Sequence, residues 1–300
     1  MSAAEDLKLL AGKENVVLNE PMNKHTTFRI GGSADIFVTP SKTEEIEAVL
    51  KYVTENKIPY YIIGNGSNLL VRDKGFRGVI IQLYKNYSQT EVNENTLKVQ
   101  SGALLSAAAK TAMNHSLKGM ECLSGIPGTI GGAVCMNAGA YGGEMKDIVE
   151  SVRVINKGKI QVLSNEECGF RYRGSRIMDE NMIVLEAVIK LEKGNMEEIQ
   201  SKMKELLEQR NSKQPVELPS AGSTFKRPEG YFAAKLIDES GLRGFSQGNA
   251  QVSEKHCGFV VNKGGATAED VISLMDKVSL RVYEKFGVRL EPEVRIIGEK

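Results

Sequence analysis

The sequence predicts an α+β protein of three lobes, and three observations support this. Strand-like apolar runs alternate with amphipathic helical segments in the first part of the chain. A glycine-rich stretch at 123–143 follows a helical segment, and a proline-flanked segment at 214–219 precedes the last third. We expect lobes at 1–84, 85–195 and 196–300.

In the first lobe, a helical period of 3.6 after Ser41 or Thr43 lies between two strand patterns, as expected for a βαβ unit. The helix places apolar residues at Ile46, Val49, Leu50 and Val53, and strands are expected at 60–63 and 78–83. Upstream, alternating polar and apolar residues from Met22 lead to a Gly31-Gly32 turn and the strand Ile36–Val38. Taken alone, this segment predicts a hairpin.

The second lobe and the start of the third show equally clear periodicities. They predict a strand at 96–100, a helix from Leu104 to His115, a hairpin of 151–156 with 160–163 around Lys157-Gly158, a strand from Ile183 to Leu191, a helix from Met196 to Arg210 and an extended linker at 214–219.

Composition and charge exclude several classes of function. The 300 residues are 41% hydrophobic and 26% charged, and 39 basic residues nearly balance 38 acidic ones. There is therefore no broad field for nucleic acid or anionic lipid. The four cysteines form no C-x-x-C pair and the three histidines lack metal-ligand spacing, so we expect no metal. The acidic N-terminus and the lack of a long apolar run predict a cytoplasmic protein that does not enter a membrane.

The glycine-rich stretch has the composition of a phosphate-binding loop. Gly125, Gly128 and Gly131 leave a backbone with few side chains, so that several N–H groups can converge on one anion. Pro127 stiffens the turn at the loss of one donor. The alternative is a pair of glycine-rich turns within a mixed sheet.

A second loop of the same kind, Gly64-Asn65-Gly66-Ser67-Asn68, follows the strand at 60–63. A strand that ends in such a tight turn presents backbone amides to phosphate. The loop is not a Rossmann fingerprint, because the third glycine would fall at Leu69. Two such loops predict one large diphosphate cofactor that spans two lobes.

The third lobe contains a serine in a segment of small residues, Ser220 to Pro228. Gly222 before Ser223 can expose the hydroxyl at a cleft, with Lys226 and Arg227 available to bind an anion. A plain turn is the alternative. A hydrolase nucleophile is a weaker interpretation, because the second glycine of G-x-S-x-G is missing.

Two further segments carry charge in unusual patterns. Three arginines, Arg171, Arg173 and Arg176, lie within seven residues, and such a density favours a bound phosphate or carboxylate. Glu293 follows Pro292 and precedes an apolar strand, where an acid is partly buried. The alternative for Glu293 is a salt bridge to Arg295 or another base.

These motifs resemble those of the MurB family, the UDP-N-acetylenolpyruvoylglucosamine reductases. The resemblance covers the segments Ile62–Leu70 and Ser124–Gly128, the Y-R-x-S element at 172–175, G-S-x-F-K at 222–226 and P-E-V-R at 292–295, together with Thr27, Phe28 and Gly31. It extends from about residue 20 to residue 298 in the right order. It implies a two-lobed PCMH-type FAD-binding domain followed by a smaller α+β substrate-binding domain.

The resemblance also implies the reaction and the residues that carry it. NADPH reduces a flavin that passes hydride to the enolpyruvyl ether of UDP-N-acetylglucosamine, and this produces UDP-N-acetylmuramate for peptidoglycan precursor synthesis. Ser223 corresponds to the proton donor, and Arg173 and Glu293 to the groups at the substrate carboxylate. FAD should be bound without a covalent bond, because the first loop lacks histidine and cysteine. Only 177–182 separate Arg176 from the next strand, as in the short class of the family.

The expected binding residues follow from the same motifs. FAD is expected to contact Gly64, Asn65, Gly66, Ser67, Asn68, Ser124, Gly125, Pro127, Gly128, Thr129, Gly131 and Ala133. The substrate is expected to contact Tyr172, Lys226, Arg227, Tyr141 and Phe259. We expect a monomer whose partners are NADPH and the nucleotide sugar. The alternatives are another PCMH-type FAD oxidoreductase that uses oxygen, and a silent nucleotide-sugar binding protein.

Overall fold

The computed structural model describes residues 2–300, which form both helices and strands. The helices are α1 (Ala3–Ala11), α2 (Thr43–Glu55), α3 (Leu105–Asn114), α4 (Ile130–Cys135), α5 (Arg176–Asp179), α6 (Met196–Lys213), α7 (Ala233–Glu239) and α8 (Ala268–Phe286). The strands are β1 (Val16–Pro21), β2 (Ser33–Val38), β3 (Tyr60–Ile63), β4 (Leu69–Val71), β5 (Phe76–Gln82), β6 (Thr90–Asn93), β7 (Thr96–Gln100), β8 (Leu117–Lys118), β9 (Gly139–Ala140), β10 (Gly143–Glu144), β11 (Val149–Asn156), β12 (Lys159–Ser164), β13 (Ile183–Lys190), β14 (Glu192–Lys193), β15 (Ser220–Ser223), β16 (Ser246–Gln247), β17 (Ala250–Val252), β18 (Phe259–Asn262) and β19 (Arg295–Ile297). The α+β class is confirmed.

The chain divides into two compact units that are discontinuous in sequence. The first comprises 1–18, 36–65 and 78–209, and the second comprises 19–35, 66–77 and 210–300. One boundary falls inside the first glycine-rich loop, between Asn65 and Gly66. The units group residues by packing rather than by sequence, and the division into three lobes stays a prediction.

The first unit contains two hydrophobic cores. One packs the apolar face of α2 against a sheet of order β1-β2-β5-β3, in which β3 and β5 are parallel. The periodic residues of α2 are buried there, which confirms the predicted helix: Ile46, Val49, Leu50 and Val53. In this βαβ arrangement the loop after β3 emerges at the carboxyl end of the strand.

The second core of this unit lies against an antiparallel sheet of order β12-β11-β13-β7-β6 and contains α3 and α4. The hairpin of β11 and β12 confirms its prediction, with Asn156 opposite Lys159. Both turn residues have positive φ, 47° at Lys157 and 76° at Gly158, as a type I′ turn requires. The long β13 also matches its predicted range.

The second unit is built on an antiparallel sheet of order β15-β18-β17-β16 with α7 and α8. Asp73 accepts hydrogen bonds from the first backbone N–H groups of α8, Ala268 at 2.8 Å and Glu269 at 3.0 Å. A carboxylate at this helix end is stabilising, because it satisfies unpaired N–H donors and interacts favourably with the positive end of the helix dipole. Strand β19 pairs in parallel with β4 of the same unit.

Two local predictions are wrong. The segment from Met22 to Gly32 forms one 3₁₀ turn, Met22–Lys24, and not a hairpin. Its backbone groups bond to distant segments instead: Asn262 Nδ2 donates to the Phe28 carbonyl, and the Thr27 N–H donates to the Gly66 carbonyl. The linker at 214–219 is a turn and is not extended, since the Leu218 N–H donates to the Pro215 carbonyl at 3.1 Å.

Over residues 2–300, we find no helix with both the length and the apolar character that a membrane span requires. The helices instead carry one apolar face each, as α2 and α8 illustrate.

Thr224 connects three segments of the second unit. It is buried, its Oγ1 accepts the Val260 N–H at 2.9 Å, and its carbonyl accepts the Glu293 N–H at 2.8 Å. Thr224→Val keeps the shape and leaves the Val260 donor unsatisfied, so it should lower the free energy of unfolding by about 1–3 kcal/mol. Thr224→Ser retains the acceptor and should lose less. Denaturant unfolding measures both, and equal stability of the Val variant and the wild type would contradict the assignment.

Candidate active site

The two glycine-rich loops meet in the first unit. A Cβ on Gly64 would lie 2.2 Å from Thr129 Oγ1, so only glycine fits at this position. Asn65 Nδ2 donates to the Pro127 carbonyl at 2.6 Å, and Gln82 Nε2 donates to the Gly64 carbonyl at 3.0 Å. The loops therefore contact each other through backbone groups and short side chains.

The second loop runs directly into α4. Thr129 caps this helix, and its Oγ1 accepts the Gly132 N–H. The Gly131 N–H donates to the Ser101 carbonyl at 2.8 Å, and a Cβ on Gly131 would lie 2.8 Å from Ser101 Cβ. Ala133 is buried in the core of the unit. Its contact with a cofactor stays a prediction that this burial does not favour.

The second half of the first loop belongs to the second unit. Gly66 has a φ of 61°, and a Cβ there would lie 2.0 Å from the His25 carbonyl oxygen. Asn68 Nδ2 donates to the Glu293 carbonyl at 3.1 Å, and the Asn68 carbonyl accepts the Arg295 N–H at 3.0 Å. The predicted cofactor loop is thus bound directly to the segment that carries Glu293.

Ser223 ends β15 and is exposed. The pairing of β15 with β18 shifts register between Ser220 and Ser223, and Gly222 between them has a φ of 74°. A bulge of this kind changes the direction of the following side chain. The segment is a bulged strand and not the plain turn that was the alternative. Thr27 Oγ1 donates to the Ser220 carbonyl at 2.7 Å. This bond holds the first residue of β15, at the end opposite Ser223.

Glu293 lies beside the serine segment through backbone pairing. The Glu293 N–H donates to the Thr224 carbonyl at 2.8 Å, and the Lys226 N–H donates to the Glu291 carbonyl at 2.9 Å. An antiparallel bridge joins Phe225 and Pro292 between them. Glu293 is half-buried, as predicted. The fold therefore places Ser223 and Glu293 on neighbouring segments of one unit, although 70 positions separate them in the sequence numbering.

Arg173 lies at the tip of a tight turn in the first unit. The Arg171 and Gly174 backbones exchange two hydrogen bonds, of 3.0 and 3.1 Å, so Tyr172 and Arg173 are the two turn residues. Arg173 has a φ of 51°, and its Nη2 donates to the Gly139 carbonyl at 3.4 Å. Its guanidinium lies 5.1 Å from the centre of the exposed Tyr172 ring. Non-glycine residues in this backbone region are strained and cluster at functional sites.

The neighbouring arginines need no bound anion. Arg171 pairs with Asp179 at 2.5 Å, and Arg176 pairs with Glu180 at 2.6 Å, so carboxylates in or next to α5 compensate both. A bound anion at these two arginines stays a prediction that their ion pairs do not favour. The sequence pattern missed the acids because they follow the cluster on the next helical turn.

The predicted substrate contacts fall into two groups. Tyr141 is 40% exposed at a type I′ turn, Lys226 pairs with Glu291 at 3.1 Å, and the Arg227 guanidinium lies 3.9 Å from the Phe232 ring centre. Phe259, in contrast, is 6% exposed and packs edge-on against His256. A ligand contact at Phe259 stays a prediction that its burial does not favour.

The buried cysteines are unsuited to covalent chemistry. Burial raises the pKa of Cys168 and of Cys257 to about 11, so both thiols stay protonated near neutral pH. Within the part of the chain that the structure describes, no group of three His, Cys, Asp or Glu side chains is placed to bind a metal ion.

Sequence reasoning missed one polar residue next to the Arg173 turn. Asn137 is completely buried, has a φ of 45° and bonds to the Arg171 carbonyl. Asparagine is typical of a left-handed position, because it tolerates this conformation better than most side chains. That signal was present in Met136-Asn137-Ala138-Gly139.

Comparison with known proteins decides the family. Residues 34–164 match the FAD binding domain family, and residues 214–297 match the UDP-N-acetylenolpyruvoylglucosamine reductase C-terminal domain. A UDP-N-acetylenolpyruvoylglucosamine reductase of Clostridioides difficile (strain 630) is 55% identical over 291 residues, which are 97% of this chain and 96% of the relative. The chain belongs to the MurB family.

Further relatives agree with this assignment. The reductase of Caldanaerobacter subterraneus subsp. tengcongensis is 50% identical over 297 residues, 99% of this chain and 98% of the relative. The crystal structure of MurB from Thermus caldophilus aligns with a TM-score of 0.80 at 37% identity, over 94% of this chain and 97% of that one. The chain is therefore an oxidoreductase with a PCMH-type FAD-binding domain, and the expected fold is confirmed.

The family resemblance assigns the diphosphate of FAD to these two loops. Gly64 has no room for a side chain, and the second loop approaches it through Pro127 and Thr129. Backbone amides in such loops bind phosphate without a bulky side chain between them. The family domain supports FAD as the cofactor, and the individual contacts of these loops with it stay a prediction.

The contact between the loops can be tested with Gly64→Ala. The new methyl group would displace Thr129, so FAD should bind at least about tenfold more weakly, because the two loops can no longer approach. In a Thr129→Ala background the nearest remaining side-chain atom, the Cβ of residue 129, is 3.1 Å away, so the same change should weaken binding less. Absorbance titration of the apoprotein with FAD measures each affinity. Equal losses in the two backgrounds would rule out this contact.

Proposed function

We propose that the protein reduces the enolpyruvyl ether of UDP-N-acetylglucosamine to UDP-N-acetylmuramate, with NADPH as the reductant. The observation that carries this proposal is the pairing of Thr224–Lys226 with Glu291–Glu293, which makes the segment after Ser223 a neighbour of the segment that carries Glu293. A binding protein without catalysis has no use for a serine presented by a bulge next to a half-buried acid. The names of the 55% and 50% identical relatives support the same substrate.

Bound FAD would be held by Gly64–Asn68 and Ser124–Gly131 and would supply the hydride that adds to C3 of the substrate. The first loop contains neither histidine nor cysteine, so the cofactor is non-covalent. The overall reaction consumes NADPH, one proton and the enolpyruvyl ether, and yields NADP⁺ and the lactyl ether.

Ser223 gives the proton to C2. A serine hydroxyl is a weak acid in water, but it suffices when the acceptor is a basic carbon held within hydrogen-bond reach. The bulge in β15 and the bond from Thr27 to Ser220 fix the backbone on which this hydroxyl is carried. The proton is then replaced from solvent.

Arg173 binds the substrate carboxylate, on which negative charge accumulates as the hydride arrives. A guanidinium suits this role because it is always charged and can donate two parallel hydrogen bonds. Glu293, held by Thr224 and Asn68, acts at the same carboxylate or orients the serine. Arg227 and Tyr141 are surface candidates for the nucleotide part, and Phe259 is a candidate despite its burial. Tyr172 and Lys226 are candidates for contacts with the substrate.

Ser223→Ala should separate the two half-reactions. Reduction of the flavin by NADPH should stay near the wild-type rate, because the serine has no part in it. Reoxidation by the enolpyruvyl substrate should slow by about 10² to 10⁴, the usual loss with a general acid. Anaerobic stopped-flow absorbance records both steps. The control is Ser246→Ala, which removes an exposed serine of the same unit. The hydroxyl of Ser246 donates to the Gly244 carbonyl.

The role of Ser223 would be wrong under either of two results. One is a Ser223→Ala enzyme that reoxidises with substrate as fast as the wild type. The other is a variant with full FAD content that fails in reduction by NADPH.

Arg173→Lys tests the carboxylate contact. Lysine keeps the charge but loses the paired donors. Substrate affinity and the rate of reoxidation should therefore both fall, while reduction of the flavin by NADPH persists. Substrate titration of the reoxidation rate separates the two effects. A wild-type rate and affinity in Arg173→Lys would exclude a bidentate contact.

A further inference from the structure

Asn137 makes three hydrogen bonds from a position with no solvent exposure. Its Nδ2 donates to Glu144 Oε2 at 3.0 Å and to the Arg171 carbonyl at 3.2 Å. Its Oδ1 accepts the Lys146 N–H at 2.9 Å. The amide thus uses both donor hydrogens and its acceptor on three different residues, and a shorter side chain could not do the same.

These bonds converge on the turn that carries Arg173. Arg171 is the first residue of the turn, and its carbonyl also accepts the Gly174 N–H that closes it. Arg173 Nη2 donates to the Gly139 carbonyl, and Gly139 pairs with Glu144 in the β9–β10 ladder. The segment from Asn137 to Lys146 therefore contacts both the backbone of the turn, at Arg171, and the guanidinium of Arg173.

The charges in this segment support the same arrangement. Glu144 accepts from Asn137 and from Lys146 at 2.9 Å, and the Lys146 ammonium is the main cause that lowers the pKa of Glu144. The carboxylate is therefore ionised at neutral pH, and the positive charge of Arg173 also contributes to this lowering. An ionised Glu144 holds the Asn137 amide with a charge-assisted hydrogen bond.

The turn needs such support because its backbone is strained. Arg173 and Asn137 both have positive φ, 51° and 45°, which a non-glycine residue adopts at a cost of about 1 kcal/mol or more. Without an external bond to Arg171, the turn could relax to another conformation. The guanidinium would then move by far more than the fraction of an ångström that a bidentate contact tolerates.

We propose that Asn137 is a positioning residue for Arg173, which holds the 171–174 turn so that the guanidinium meets the substrate carboxylate. This inference rests on the proposed role of Arg173 in the oxidative half-reaction. Asn137 contacts neither substrate nor cofactor in this account and acts only through the turn.

Asn137→Gly removes the amide without adding backbone strain, because glycine accepts a φ of 45°. We expect substrate-dependent reoxidation to slow by about 10- to 100-fold. FAD content and reduction by NADPH should stay near wild type. The control is Asn95→Ala, which removes a bond to the Leu191 carbonyl and none to the turn or to the segment from Asn137 to Lys146. It should leave reoxidation unchanged.

A second variant covers the case in which the glycine variant fails to fold. Asn137→Asp keeps the volume but directs a carboxylate at Glu144 and at the Arg171 carbonyl, where two donors stood. It should slow reoxidation as well. Normal reoxidation in a folded variant of either kind would overturn the proposal.

A double-mutant cycle shows whether Asn137 acts through Arg173. In an Arg173→Ala background, Asn137→Gly should change reoxidation less than about twofold, because the group it positions is gone. Independent, multiplicative losses would overturn the inference while the proposed function stood. If Arg173→Ala alone reoxidised normally, the proposed role of Arg173 would fail instead, and the inference with it.

Discussion

The close packing of the loop Gly64–Asn68 is the constraint on which the rest of the site depends. In the first unit its Gly64 lies against Thr129 with no room for a side chain, and Asn65 is bonded to Pro127. In the second unit its Asn68 is bonded to the backbone of Glu293. The same short loop thus contributes Gly64 and Asn65 to the packing of the first unit and Asn68 to that of the second. Its glycines are required by space and by backbone angle, not by flexibility.

The side chains proposed to act on the substrate are held by backbone pairing and by one strained turn. Ser223 and Glu293 lie on segments that Thr224 joins from within the core, so neither depends on a long free loop. Such support is what precise placement requires, because small displacements of a reacting group cost large factors in rate. Arg173 differs, since it lies on a turn with a positive φ and depends on its neighbours. Asn137 donates a hydrogen bond to the Arg171 carbonyl of this turn, and we propose that this bond holds the turn in place.

The sequence predicted what local periodicity encodes. The helix with buried Ile46 and Val53 and the hairpin around Lys157 follow directly from spacing and turn chemistry. The family motifs, in the right order, identified the fold and the candidate residues. The segment after Met22 was mispredicted because its partners, Asn262 and Gly66, are remote in sequence. The compensation of the clustered arginines and the role of the buried asparagine were missed for a similar reason: hydrogen-bond partners depend on tertiary packing, which no short pattern contains.

We propose that this protein passes electrons from NADPH through bound FAD to an enolpyruvyl nucleotide sugar. The most direct test is an anaerobic titration of the purified holoenzyme, followed by its visible spectrum. NADPH should bleach the flavin, and one equivalent of UDP-N-acetylglucosamine enolpyruvate should then restore the oxidised spectrum and yield one UDP-N-acetylmuramate per FAD. A flavin that stays reduced with this substrate and is reoxidised only when oxygen is admitted would contradict the account and favour an oxidase.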